Sequence, residues 1–74
     1  MTDKNGTLLE IGDIVYDDSY APNDYDYDII IAMYSETSEI ELRQLGGAWT
    51  GVYPENVVTR ASDEKAMLLK FEWA

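Results

Sequence analysis

Residues 24–45, DYDYDIIIAMYSETSEIELRQL, decide how the chain is read. Tyr25, Tyr27, Ile29, Ile31 and Met33 recur at period two, and Asp24, Asp26, Asp28, Ile30, Ala32 and Tyr34 fill the alternate positions. Successive strand side chains point to opposite faces, so the pattern predicts a strand with the first set buried and the second in water. The turn-forming SETS (35–38) follows, then EIELRQL (39–45), in which Ile40 and Leu42 alternate with Glu39, Glu41 and Arg43. Closing a hairpin with Tyr34 opposite Glu39 sets Met33 against Ile40 and Ile31 against Leu42 on the core face. It also sets Ala32 against Glu41 and Ile30 against Arg43 on the outer face, so both amphipathic patterns agree on one register.

Working outward, EIGDIVY (10–16) reads as a first strand, entered after a turn at Asn5-Gly6. Gly46-Gly47 marks a turn, AWTGVY (48–53) the next strand, and Pro54 its stop. PENV (54–57) fits one turn of 3₁₀ helix, after which the chain resumes a strand over 56–60. In the tail, Ser62 with Asp63 and Glu64 has the form of a helix start. Against that, Met67, Leu69, Phe71 and Trp73 alternate with Ala66, Leu68, Lys70 and Glu72, which predicts a final strand paired with 56–60 across the loop ASDEK. The expected fold is all-β: a small five- to six-stranded barrel formed by residues 1–74 as a single domain. Residues 1–6 and the loop 17–24 are its expected flexible parts.

Composition narrows the chemistry. A chain of 74 residues makes one domain with a thin core. With no Cys and no His there is no disulfide, no Cys/His zinc site, no thiolate nucleophile and no Ser-His-Asp triad. Fifteen acids against five bases give a net charge of −10, and no Lys or Arg stands between Lys4 and Arg43. Such a surface repels phosphate, so direct binding to DNA, RNA or an anionic membrane is not expected, whereas a basic partner is. A hydrophobic content of 46% argues against disorder. The opening MTDKNGTLLEIGD has no basic segment leading into an apolar run, so a soluble cytoplasmic protein is expected.

Two segments, NGTLLEIGDIVYD (5–17) and WTGVYPENVV (49–58), resemble small SH3-like β-barrel proteins. What they share is a layout across residues 5–60. Gly12-Asp13-Ile14-Val15 opens a first strand, a long loop and a hairpin follow, and Val52-Tyr53-Pro54-Glu55-Asn56-Val57 precedes a closing strand. The resemblance implies an SH3-like barrel of the kind found in accessory subunits and small phage-encoded proteins. Barrels of this type bind peptides, proteins or nucleic acids, and the fold does not choose among them. Relatives that bind nucleic acid carry a basic surface, so that property is not transferred to this acidic chain.

The residues point to binding rather than chemistry. In the regular strand, Asp24, Asp26 and Asp28 stand about 6.6–6.8 Å apart on the outer face. Glu39 and Glu41 lie beside them, and Asp17, Asp18, Tyr20 and Tyr34 stand at the edge. These nine residues are the candidate partner-binding set. Asp24-x-Asp26-x-Asp28 begins like an EF-hand loop, but Ile29 replaces the required Gly and Ser35 the closing Glu, so no metal and no cofactor are expected. Carboxylates on an open face lack the pocket that acid–base catalysis needs, and no catalytic residue is assigned. The first expectation is an inhibitor or modulator that mimics nucleic-acid charge and occupies the basic site of a nucleic-acid-binding protein, as phage proteins directed against host defence do. The alternative is a docking subunit anchored by exposed aromatics among Tyr16, Tyr20, Tyr34, Trp49, Tyr53 and Trp73. Of these, Tyr53 and at least one Trp are expected in the core, and Tyr20 and Tyr34 outside it.

Overall fold

The computed structural model describes residues 1–17 and 27–72. It contains one five-stranded antiparallel sheet in the order β4-β3-β2-β1-β5. The strands are β1 (Ile14–Tyr16), β2 (Tyr27–Tyr34), β3 (Glu39–Gln44), β4 (Thr50–Pro54) and β5 (Thr59–Arg60). A 3₁₀ turn, Glu55–Val57, separates the last two, as the Pro54 stop predicted. One helix, α1 (Asp63–Glu72), ends the described chain.

The hairpin forms as the sequence predicts at its tip, where Tyr34 pairs with Glu39, Met33 with Ile40 and Ala32 with Glu41. Beyond Ala32 the register shifts. A β-bulge at Ile31 brings Ile30 opposite Leu42, Ile29 opposite Arg43 and Asp28 opposite Gln44. The extra residue reverses the facing of everything before it. Ile30 is therefore 1% exposed, and Ile31, assigned to the core by simple alternation, is 40% exposed.

The reason lies in the sheet's two covered faces. On the first, Leu9, Val15, Ile30, Ile40, Leu42 and Val58 form one apolar cluster, with Met1, Met33 and Val57 packed against it. On the second, Ile14, Ala61 and Leu69 form another, joined by Tyr16, Tyr27, Ile29, Leu45 and Ala66. A strand covered on both sides carries a continuous apolar run rather than an alternating one. Ile29 serves the second face and Ile30 the first, and Ile31 takes up the bulge.

The second cluster depends on α1, where a strand was expected. Ser62 caps the helix: its Oγ accepts the Lys65 N–H at 3.2 Å, and its carbonyl accepts the Ala66 N–H at 2.8 Å. Asp63 and Glu64 occupy the first turn and Lys70 the last, each matched in sign to the helix dipole. Leu69 is buried against the sheet, whereas Met67, Leu68 and Phe71 are exposed. The strand predicted for the tail is thus corrected to a helix. Its intended partner, β5, pairs instead with β1, through Val15 with Arg60 and Tyr16 with Thr59.

The lead-in is tied to the sheet by a buried carboxylate. Asp3 is 5% exposed. Its Oδ1 accepts the N–H groups of Asn5 at 2.9 Å and Thr7 at 2.8 Å, and its Oδ2 accepts that of Arg60 at 2.8 Å. The Lys4 N–H donates to the Val58 carbonyl at 3.0 Å, and Thr2 bridges to Leu8. Gly12 makes the bend into β1 with φ +97°, a left-handed conformation that a Cβ disfavours.

Candidate binding hollow and outer face

The structure divides the predicted contact surface between the two sides of the sheet. Tyr34, Glu39 and Glu41 come together on one side. The Tyr34 hydroxyl donates to Glu41 Oε1 at 2.6 Å, and that acceptor, with its negative charge, raises the phenol above its usual pKa. Tyr34 is exposed, as predicted, and Glu39 and Glu41 are half-buried.

Asp28 lies on the other side. Placed outward by simple alternation, it is carried inward by the bulge and is 9% exposed, opposite Gln44 on β3 and Val15 on β1. It therefore does not share a face with Glu39 and Glu41. Asp18, Tyr20, Asp24 and Asp26 fall outside the described residues, so no outer row of three aspartates is on view.

Asp28 and Asp17 line a hollow of about 270 Å³ on the first face. Among the described residues, Leu42, Val57 and Val58 supply its apolar lining, and Gln44, Trp49 and Tyr53 also line it. The aromatics owe their place to a glycine. Across the β3–β4 ladder Ile40 pairs with Tyr53 and Leu42 with Gly51, which sets Tyr53 and Gly51 on the core side. A Cβ at Gly51 would lie 2.8 Å from two indole carbons of Trp49 and 3.1 Å from the Tyr53 ring. The bare backbone lets the indole fold over it. The two rings stand with centroids 5.8 Å apart and planes tilted by 45°. Gln44 holds the turn beneath them, donating its backbone N–H to the Trp49 carbonyl at 2.9 Å, while its carboxamide packs over Gly47.

Tyr53, expected in the core, is 36% exposed, and Trp49 is 46% exposed. Their placement on a rim explains this. Both rings line the hollow and belong to neither apolar cluster. Tyr16 is half-buried instead, its ring 5.5 Å from that of Tyr27, and Trp73 lies outside the described residues. The signal for this rim was present in the sequence as Trp49-x-Gly51-x-Tyr53, a period-two spacing that sets two rings on one strand face around a residue without a side chain.

Other acids are engaged in structure. Arg60 Nε meets Asp13 Oδ2 at 3.1 Å and its terminal nitrogen meets Asp63 Oδ1 at 2.9 Å. Asp13 Oδ2 also accepts the Glu10 N–H at 2.8 Å, which anchors the bend before β1. Among the described residues, no group of three or more acidic side chains is placed to hold a metal ion, and no helix is long and apolar enough to cross a membrane. Comparison with protein-family models, with curated proteins and with solved structures finds no match for this chain.

Proposed function

We propose that this protein is a non-enzymatic binding module, built as an SH3-like barrel, that docks on a basic protein. One observation carries the reading: two exposed aromatics rim a hollow that, among the described residues, is lined by two acids, Asp17 and Asp28, and by no base. Aromatics that are rigid and partly desolvated supply contact energy, whereas carboxylates set orientation and association rate. Support for the barrel comes from the strand order, in which β1 lies between β2 and the short closing strand β5.

A second reading keeps the mimicry of nucleic-acid charge, and thereby inhibition of a nucleic-acid-binding protein by a phage-type cytoplasmic factor. It rests on the net charge of −10 and on Glu39 and Glu41 standing on the outer face. The two readings place the contact on opposite sides of the sheet, so surface variants separate them. Tagged wild type, Trp49→Leu and Glu39→Gln/Glu41→Gln proteins are used to capture basic proteins at low and at physiological salt. Docking through the hollow predicts a partner that is lost with Trp49→Leu, kept with the paired glutamate variant and largely retained at physiological salt. Mimicry predicts the reverse pattern, with steep loss as the Debye length shrinks to about 8 Å and competition by duplex DNA. A partner indifferent to both variants removes both readings.

A further inference from the structure

We propose that α1 is a self-association surface through which two copies of this chain pair helix to helix, antiparallel, across a twofold axis. The helix is covered on one side only. Leu69 and Ala66 pack on the sheet. The opposite stripe, Glu64, Met67, Leu68 and Phe71, has the i, i+3, i+4, i+7 spacing of a helix face that meets a partner. Met67 and Leu68 are exposed, and Phe71 is 87% exposed. Three large apolar side chains in adjoining turns of one helix make a patch, which marks an interaction site where scattered single residues do not. The helix lies on the second face, across the sheet from the hollow, so pairing leaves the hollow open. The inference is therefore independent of the docking reading.

The distribution of charge selects a second copy as the occupant. Residues 60–72 hold three bases, Arg60, Lys65 and Lys70, and three acids, Asp63, Glu64 and Glu72. Residues 1–59 hold two bases and twelve acids, so the net charge of −10 lies entirely there. A basic protein is drawn to that part of the chain, and a nucleic acid or anionic lipid surface is repelled by it. Two identical chains meet with least repulsion where each is neutral. The signs along α1 are also self-complementary, with Asp63 and Glu64 in the first turn and Lys70 in the last. Antiparallel pairing sets the acidic end of each helix against the basic end of the other and opposes their dipoles, whereas a parallel pair sets like ends together. With Met67 near the axis, Glu64 of one copy comes opposite Lys70 of the other, and the contact is made twice, as an isologous interface requires. Asp63 and Lys65 already have partners within the chain, Arg60 and the Tyr27 ring, so the contact between copies falls to Glu64 and Lys70, both exposed. Ten residues make a helix only about 15 Å long, so the interface stands at the low end of specific ones, below about 1,200 Å² in total, and the dimer is weak.

The test is sedimentation equilibrium of the full chain at physiological salt, which screens the charge outside α1. Between about 10 µM and about 1 mM protein, a monomer–dimer equilibrium with Kd of about 100 µM is expected. Phe71→Ser is expected to weaken it about tenfold or more, as truncation of a central aromatic contact does, while circular dichroism stays native because the ring is almost wholly in water in the single chain. Glu64→Lys and Lys70→Glu, each examined alone, place like charges opposite each other twice and are expected to weaken the dimer about fivefold or more. An equimolar mixture of these two variants restores opposite signs at both contacts, and its association is expected to return to within about twofold of wild type. Neither residue lies next to the other on its own helix, so the rescue reports a contact between copies. Wild type that stays monomeric at about 1 mM, a dimer indifferent to Phe71→Ser, or a mixture that associates no better than its components overturns the proposal.

Discussion

Ile30→Ala is expected to cost about 3 kcal/mol of folding stability, and Ile31→Ala less than about 1 kcal/mol. The two residues are neighbours of identical chemistry, and only the bulge distinguishes them. Ile30 is 1% exposed and packs with Val15, Ile40, Leu42 and Val58. Truncating it leaves a cavity among side chains that themselves have little room to relax. Ile31 sits at the register shift and is 40% exposed, so its truncation removes area that is partly in water already. Chemical denaturation of the two variants measures the difference. At 74 residues, the Ile30→Ala loss corresponds to a fall in melting temperature of about 12–24 °C, and the Ile31→Ala loss to a few degrees. The opposite ranking would mean that β2 runs in uninterrupted alternation, with Asp28 on the outer face and the hollow without its buried acid.

Asp3→Ala is expected to be comparably damaging, and its effect to depend on pH. Three backbone N–H groups, from Asn5, Thr7 and Arg60, end on this carboxylate. Leaving buried donors without an acceptor costs about 1–3 kcal/mol each where water cannot replace it. A total near 3 kcal/mol, or about 12–24 °C in melting temperature, is a reasonable scale because the loop partly relaxes towards solvent. Burial alone would raise this carboxyl's pKa, but the three N–H donors together with the Arg60 charge hold it below the usual aspartate value. A folded pKa lower than the unfolded one, about 3.9, means that the stabilisation is fully present above that pH. It is lost as pH falls through the folded pKa. The gap in stability between wild type and Asp3→Ala is therefore expected to be constant from neutral pH down to about pH 5 and to narrow below pH 4. Urea titrations of both proteins across that range check it; a gap that widened in acid would contradict the assignment.

The sequence carried the hairpin tip, the Pro54 stop, the 3₁₀ turn and the exposure of Tyr34, because each depends on residues close together in the chain. It misled where a second layer intervened. Alternation was interpreted with one buried face, and that premise fails once α1 covers the other. The helix itself was legible in Ser62, Asp63 and Glu64, but period-two spacing of Met67, Leu69 and Phe71 outweighed the cap. In the structure Leu69 alone of those three is buried, so the alternation reflects no shared burial. Of the nine predicted contact residues, Tyr34, Glu39 and Glu41 do converge, because they belong to the unshifted part of the hairpin. Asp28 was misplaced by the single residue of the bulge. The hollow was missed because its rim depends on a long-range fit, an indole folded across a glycine, that no local pattern weighs.

The bulge also bears on how the coding sequence can change. Ile29, Ile30 and Ile31 are chemically the same, so loss of any one of their codons gives one and the same protein. In that product the remaining two isoleucines fall opposite Leu42 and Arg43 in an uninterrupted ladder, with Asp28 opposite Gln44 and Met33 opposite Ile40 as before. The run thus behaves as a strand with a spare letter: a three-nucleotide slip within it erases the bulge while every side chain on either side keeps its address.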